Sequence, residues 1–169
     1  MTEARFINWP QRYKNAPQGK EEVDQRIELG TGHINWSHPS FHRYAQQYYQ
    51  CKQDFSVRDR SSPVPYFLLC RAIELELKSQ HLQVSNQEQV KKKFAHSILK
   101  AYNALPKDQR VLCQAEFDVL SAASKIYEGK GFEYIQPVSA AHGFSDFPDL
   151  AELDAVARKL LGLSVHPSG

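Results

Sequence analysis

Residues 63–82 read PVPYFLLCRAIELELKSQHL, and this stretch decides the fold. Two prolines open it, where a missing backbone N–H is harmless in a first helical turn, and no helix breaker follows. Its apolar residues, Tyr66, Phe67, Leu68, Leu69, Ala72, Ile73, Leu75 and Leu77, leave almost no polar face. A helix that is apolar nearly all round is expected at the centre of a bundle, with neighbours on several sides. Arg71, Glu74 and Lys78 interrupt it at steps of three and four, which places them on one face with Glu74 oriented toward Lys78 for an i,i+4 pair. Charges on such a helix must be paired with one another or must line a cleft.

Upstream, Ser37 suits a helix cap and Pro39 its first turn. Phe41, Tyr44, Tyr48, Cys51 and Phe55 recur at helical spacing, predicting a helix that ends near Phe55. Downstream, Ser85-Asn-Gln-Glu88 reads as a capping box. Val90, Phe94, Ile98, Tyr102 and Leu105 then predict one further helix, or a short helix running into a longer one, stopped by Pro106. Residues 107–129 predict a fourth helix whose core side runs through Leu112, Val119, Ala123 and Ile126, with Gly129 and Gly131 at its end. Phe132 to Ile135 reads as a short extended piece and residues 136–145 as a loop. Pro148 and Asp149 open a fifth helix, with a stripe of Leu150, Leu153, Val156, Leu160 and Leu161 and a stop at Gly162. No period-2 strand pattern appears. The expected fold is therefore all-α, an antiparallel up-and-down bundle of four or five helices over residues 36–162, with an irregular leader at 1–35 and a tail at 163–169.

At 169 residues the chain is long enough for one domain that needs neither disulfides nor a structural metal. Its 21 basic and 19 acidic side chains argue against a histone-like grip on nucleic acid by bulk charge. The near-neutral total divides unevenly, with +2 over residues 1–60, +4 over 61–110 and −4 over 111–169. The longest apolar stretch, Val64 to Cys70, falls far short of the roughly 20 residues that cross a bilayer. The first residues contain no continuous hydrophobic segment, so a cytoplasmic protein without membrane contact is expected. Cys51, Cys70 and Cys113 lie on separate predicted helices and read as inert, buried thiols.

His96 lies in KKKFAHSILK, directly after Lys91, Lys92 and Lys93. An imidazole among cations suits general acid–base work on a phosphate whose charge the lysines balance. A solvated basic face with an incidental histidine is the plainer alternative. Tyr127, Lys130, Phe132 and Tyr134 form an aromatic and basic cluster, suited either to packing at the bundle end or to nucleobase stacking. His38 and His42 share a helix face, with His33 nearby, but no acidic residue lies between them. Neither a metal nor a cofactor is therefore expected. Nucleophile-elbow, Walker, G-x-G-x-x-G and paired CxxC motifs are absent.

Taken in order, PVPYFLLCRAIELELK, KKKFAHSILKAY, IYEGKGFEY and FPDLAELDAVARKLL resemble a bacterial branch of the HEPN superfamily, from about Trp36 to Leu161. The resemblance implies a helical bundle that dimerises. In active members it implies a metal-independent ribonuclease, with a composite site at the dimer interface, from toxin–antitoxin, abortive-infection or CRISPR systems. The family's signature is an Arg, four to six residues, then a His. His96 matches the His, but the position five residues earlier is Lys91, and no Arg lies in that window. A guanidinium grips phosphate with a bidentate fork, whereas an ammonium is a point charge. Arg71 takes the missing place if the fold brings it within roughly 10 Å of His96, one Debye length at 0.1 M salt.

Two functions follow as expectations. The first is a catalytically silent interaction module, a homodimer or a partner of an antitoxin-type protein, whose charged stripe is an internal ion-pair network. The second is a metal-independent endoribonuclease, or an RNA- or nucleotide-binding protein. In it His96 is the general acid/base, Arg71 and Lys91 hold phosphate, Glu74 or Tyr127 orients them, and Lys78, Lys92, Lys93 and Lys130 are further phosphate-binding residues. The missing Arg tilts the sequence toward the first.

Overall fold

The computed structural model describes residues 38–56, 62–134 and 146–163. The expected leader, the cap at Ser37, the position of His33, the loop at 136–145 and the tail from 164 onward lie outside the described residues. Six α-helices form among those described: α1 (His38–Asp54), α2 (Val64–Leu82), α3 (Gln87–Phe94), α4 (Ile98–Asn103), α5 (Gln114–Glu128) and α6 (Leu150–Leu160). A 3-10 turn spans Lys107–Gln109, and no strand occurs among these residues. The described residues are all-α, as the periodicity predicts.

Helix α2 packs against each of the other five, which explains its all-round apolar surface. Leu69, Ile73 and Leu77 are fully buried, and each contributes about 2 kcal/mol by leaving water. Helix α1 lies along α2 in the opposite direction. The Ser79 hydroxyl donates to the His38 carbonyl, His42 meets Glu76, and the Arg71 guanidinium sits 5.9 Å from the Tyr48 ring centre. Helix α6 is fixed to α1 through Asp154, whose carboxylate accepts from Tyr49, Lys52 and Gln53. Burial, and then the Asp154 charge, push the Tyr49 phenol up to about 12.

Several local expectations shift. The capping box is one residue later than Ser85–Glu88. Asn86 is the N-cap, its side chain accepting from the Gln89 N–H while the Gln89 side chain accepts from the Asn86 N–H. Of the two readings for Val90–Leu105, the structure has two helices rather than one, but the second is the shorter, and they part because Phe94–Ser97 closes a β-turn, with the Ser97 N–H donating to the Phe94 carbonyl. Ala95 adopts φ 47° and ψ −111° in this turn, which no helix accommodates. That break raises the helix number above the four or five expected. The fourth predicted helix begins only at Gln114, and its buried side runs through Leu120, Ala123, Ser124 and Tyr127, while Leu112, Val119 and Ile126 are partly buried flanks.

Phe132 to Tyr134 are not extended. They form a turn beyond α5, in which the Glu133 and Tyr134 N–H groups donate to the Lys130 carbonyl. Lys130 holds the left-handed position of the cap, with φ 56°. Gly131 follows because a Cβ there would stand 2.7 Å from the Ile126 side chain. Of the three cysteines only Cys70 is buried; Cys51, on α1, is exposed, and so is Cys113, which stands at the N-cap of α5. No helix among the described residues is long and apolar enough to cross a membrane.

Candidate functional site

Glu74 is the centre of the site. Its side chain is 1% exposed, deep on α2, yet it carries a charge. Four donors converge on its two oxygens. Lys78 Nζ donates to Oε1 at 2.6 Å and His96 Nδ1 meets the same oxygen at 3.1 Å. Arg71 Nη1 donates to Oε2 at 2.9 Å and the Tyr127 hydroxyl at 2.6 Å. An ionised carboxylate offers about four lone-pair sites, so this buried anion is fully satisfied. Burial alone would push the Glu74 carboxyl up. Hydrogen bonds from Lys78 and Tyr127 and the charges of Lys78 and Arg71 outweigh that and hold it below the usual carboxylate range.

The same contacts fix the donors. Burial, and then the Glu74 charge, push the Tyr127 phenol well above its ordinary value, so it stays a donor. Burial works against the Arg71 charge, but Glu74 prevails and keeps the guanidinium firmly protonated. Lys78 also donates to the Ala95 carbonyl, which pins the turn between α3 and α4 onto α2.

That turn presents His96. Its side chain is 72% exposed, while Nδ1 reaches inward to Glu74. The carboxylate only accepts, so Nδ1 carries the hydrogen, and in the neutral ring Nε2 keeps a free lone pair. A buried acid that orients an imidazole in this way is the arrangement used by general-base histidines.

Arg71 and His96 line two cavities at once. The larger, about 310 Å³, is lined by Phe41, Leu75 and Val90 together with Lys78, Gln87 and Lys91. The smaller, about 220 Å³, is more polar and is lined by Phe67, Tyr127, Glu128, Lys130 and Glu133. Glu128 is held in place there by the hydroxyls of Ser97 and Ser124, at 3.0 and 2.7 Å.

Of the residues singled out from the sequence, the fold thus brings Arg71, Glu74, Lys78, His96 and Tyr127 around one carboxylate, with Lys91 on one cavity and Lys130 on the other. Sharing that carboxylate places Arg71 and His96 well inside the roughly 10 Å set by screening. Lys92 and Lys93 are exposed and line neither cavity. Phe132 is committed to packing, stacked on Tyr66 at 5.6 Å and edge-on to Phe147 at 4.9 Å, whereas Tyr134 is exposed.

Sequence reasoning passed over Glu76, a second buried acid on α2. Its Oε2 lies 2.6 Å from His42 Nδ1, so His42 is tied to a carboxylate rather than paired with His38 on a metal. The signal was available, since Glu76 is a further charge on a helix with hardly any. No group of side chains suited to a metal ion exists among the described residues. Phe41, Gln87, Glu128 and Glu133 were also missed; nothing in their local sequence marks them. No family model matches the chain, and neither a curated protein nor a solved structure matches it.

Proposed function

We propose that this chain is an HEPN-like, up-and-down helical protein that binds RNA phosphodiesters in the cleft around Arg71 and His96 and cleaves them without a metal. The observation that carries the reading is the convergence of Arg71 and His96 on the Glu74 carboxylate at the shared wall of two cavities. A structural ion-pair stripe needs no exposed imidazole beside two open cavities; a phosphate site does.

In this reading Arg71 supplies the guanidinium that the window before His96 lacks, and Lys91, which lines the larger cavity, adds a point charge. His96 Nε2 takes the proton of a ribose 2′-hydroxyl, whose oxygen attacks the adjacent phosphorus. The new O2′–P bond forms as the P–O5′ bond breaks, the departing 5′-oxygen takes a proton from water, and the hydroxide so formed takes back the proton held on His96 Nε2, which restores the neutral imidazole. The products are a 2′,3′-cyclic phosphate and a 5′-hydroxyl. Glu74 positions Arg71 and His96, and Tyr127 positions Glu74. The resemblance adds that the protein works as a homodimer with an antitoxin-type partner.

One observation favours the silent interaction module instead: Glu74 already neutralises cations on its own helix, as an internal network would. Cleavage of a mixed RNA substrate in the presence of a chelator separates the two. We expect 2′,3′-cyclic phosphate ends from the natural protein, at least a hundredfold less from His96→Ala, and a circular dichroism spectrum unchanged by the substitution. Absence of cleavage, or cleavage that survives His96→Ala, removes the ribonuclease reading and leaves the module.

A further inference from the structure

The two cavities that meet at Arg71 and His96 differ in character, and the difference identifies what each receives. The larger combines apolar side chains, Phe41, Leu75 and Val90, with the cations Arg71, Lys78 and Lys91 in one lining. The smaller places the carboxylates of Glu128 and Glu133 beside Lys130 and Tyr127. A ligand that suits both has an anion at the shared wall, a flat apolar group on one side and hydroxyls on the other. At about 310 Å³ the apolar cavity is near the small end of ligand pockets, so it suits one ring system and not a peptide or an acyl chain. The two carboxylates repel a second phosphate and accept hydrogen bonds from hydroxyl groups, as a ribose offers.

From this geometry we infer that the Phe41–Leu75–Val90 cavity is a nucleobase pocket, seating the base of the nucleotide whose phosphate lies against Arg71, His96 and Lys91, with Gln87 meeting the base's polar edge. The inference rests on the phosphodiester reading above and makes the protein selective among bases. Phe41 supplies an aromatic surface that any base can contact. Gln87 carries both an amide donor and an acceptor, so it discriminates between bases whose edges present different groups. Neither residue belongs to the charge network on Glu74, so affinity for the base and positioning of His96 are separable.

Calorimetric titration of the full chain at low salt tests this, using inorganic phosphate and the 3′-monophosphates of the four common nucleosides. At least one nucleotide is expected to bind about tenfold more tightly than phosphate, the gain of one base–aromatic contact. Phe41→Ala should abolish that advantage and leave phosphate affinity within about twofold, because the anion contacts are untouched. Should Phe41→Ala fail to fold, Phe41→Leu keeps most of the bulk and should show the same loss. Gln87→Ala should alter the ranking of the four bases without shifting Tm. Nucleotides that bind no better than phosphate, or an advantage that survives loss of the Phe41 ring, overturn the base pocket and leave the phosphodiester site standing. If neither phosphate nor nucleotide binds, or if Arg71→Ala does not weaken either, the phosphodiester reading falls and the pocket with it.

Discussion

His96 Nδ1 lies 3.1 Å from Glu74 Oε1, although the His96 side chain is 72% exposed and that of Glu74 only 1%. One hydrogen bond thus connects the solvent face of the cleft to a charge in the core. The two ends of this bond carry different costs. Removing the Glu74 charge leaves Arg71 and Lys78 without their buried counterion, and breaking a buried pair costs about 3–5 kcal/mol. Removing His96 leaves Glu74 three donors and room for water in place of the fourth. In urea denaturation, Glu74→Gln should lose about 3 kcal/mol, and His96→Ala less than about 1 kcal/mol.

The pH dependence of stability follows from the same carboxylate. Folded Glu74 binds its proton more weakly than the unfolded chain does. Its contribution is therefore complete above the unfolded carboxylate value of about 4.3 and is lost as pH falls through the lower folded value. The natural protein should lose stability steeply below about pH 4. Glu74→Gln should start less stable and show a shallower acid slope in the same range, measured as urea midpoints between neutral and acid pH.

Tyr127 donates to Glu74 across 2.6 Å from α5, so the hydroxyl joins two helices as well as satisfying a charge. A hydrogen bond to an ionised group contributes about 1.5–3 kcal/mol. Tyr127→Phe keeps the ring and removes only that bond. It should cost about 2 kcal/mol and raise the Glu74 carboxyl toward its ordinary value, read from the carboxyl carbon shift in an NMR titration.

Ala95 sits at positive φ in the turn that presents His96, a conformation in which a Cβ is strained by about 1–3 kcal/mol. Glycine relieves the strain but adds freedom to the unfolded chain, at about 0.4–1 kcal/mol. The difference favours glycine, and Ala95→Gly should raise Tm by about 2 °C. Ala95→Val should lower it, since a branched side chain tolerates this conformation least.

Cysteine accessibility checks the packing of α2 directly. Cys51 and Cys113 are exposed, while Cys70 is fully buried, and burial followed by the nearby Glu74 charge pushes its thiol up. A thiol reagent should label two cysteines rapidly under native conditions, and the third only in denaturant. Fast labelling of all three would contradict the central position of α2.

The all-helical class was legible because it rests on local periodicity. Tyr66 through Leu77 announce a helix with neighbours all round, and α2 does contact every other helix. The Glu74–Lys78 pair was legible for the same reason, since helical spacing alone brings residues four apart together. The place of the break at Ala95 was not, although two helices in succession were one of the two readings of this segment. Neither Gly nor Pro marks it, and the apolar steps from Val90 to Leu105 continue through it undisturbed. What secures that turn includes Lys78 donating to the Ala95 carbonyl, a contact between distant parts of the chain.

By itself, then, the sequence determined which segments become helices and which helix must be central, because hydrophobic periodicity and turn residues act over a few positions. Tertiary structure decided that His96 and Tyr127 join Arg71 and Lys78 on one carboxylate, that Lys92 and Lys93 stand apart, and that Phe41 faces the same cleft from α1. The physical reason is the demand of a buried charge. Glu74 is stable in the core only if its lone pairs are filled, and two of the four partners that fill them, His96 and Tyr127, come from separate segments that no local pattern connects to α2.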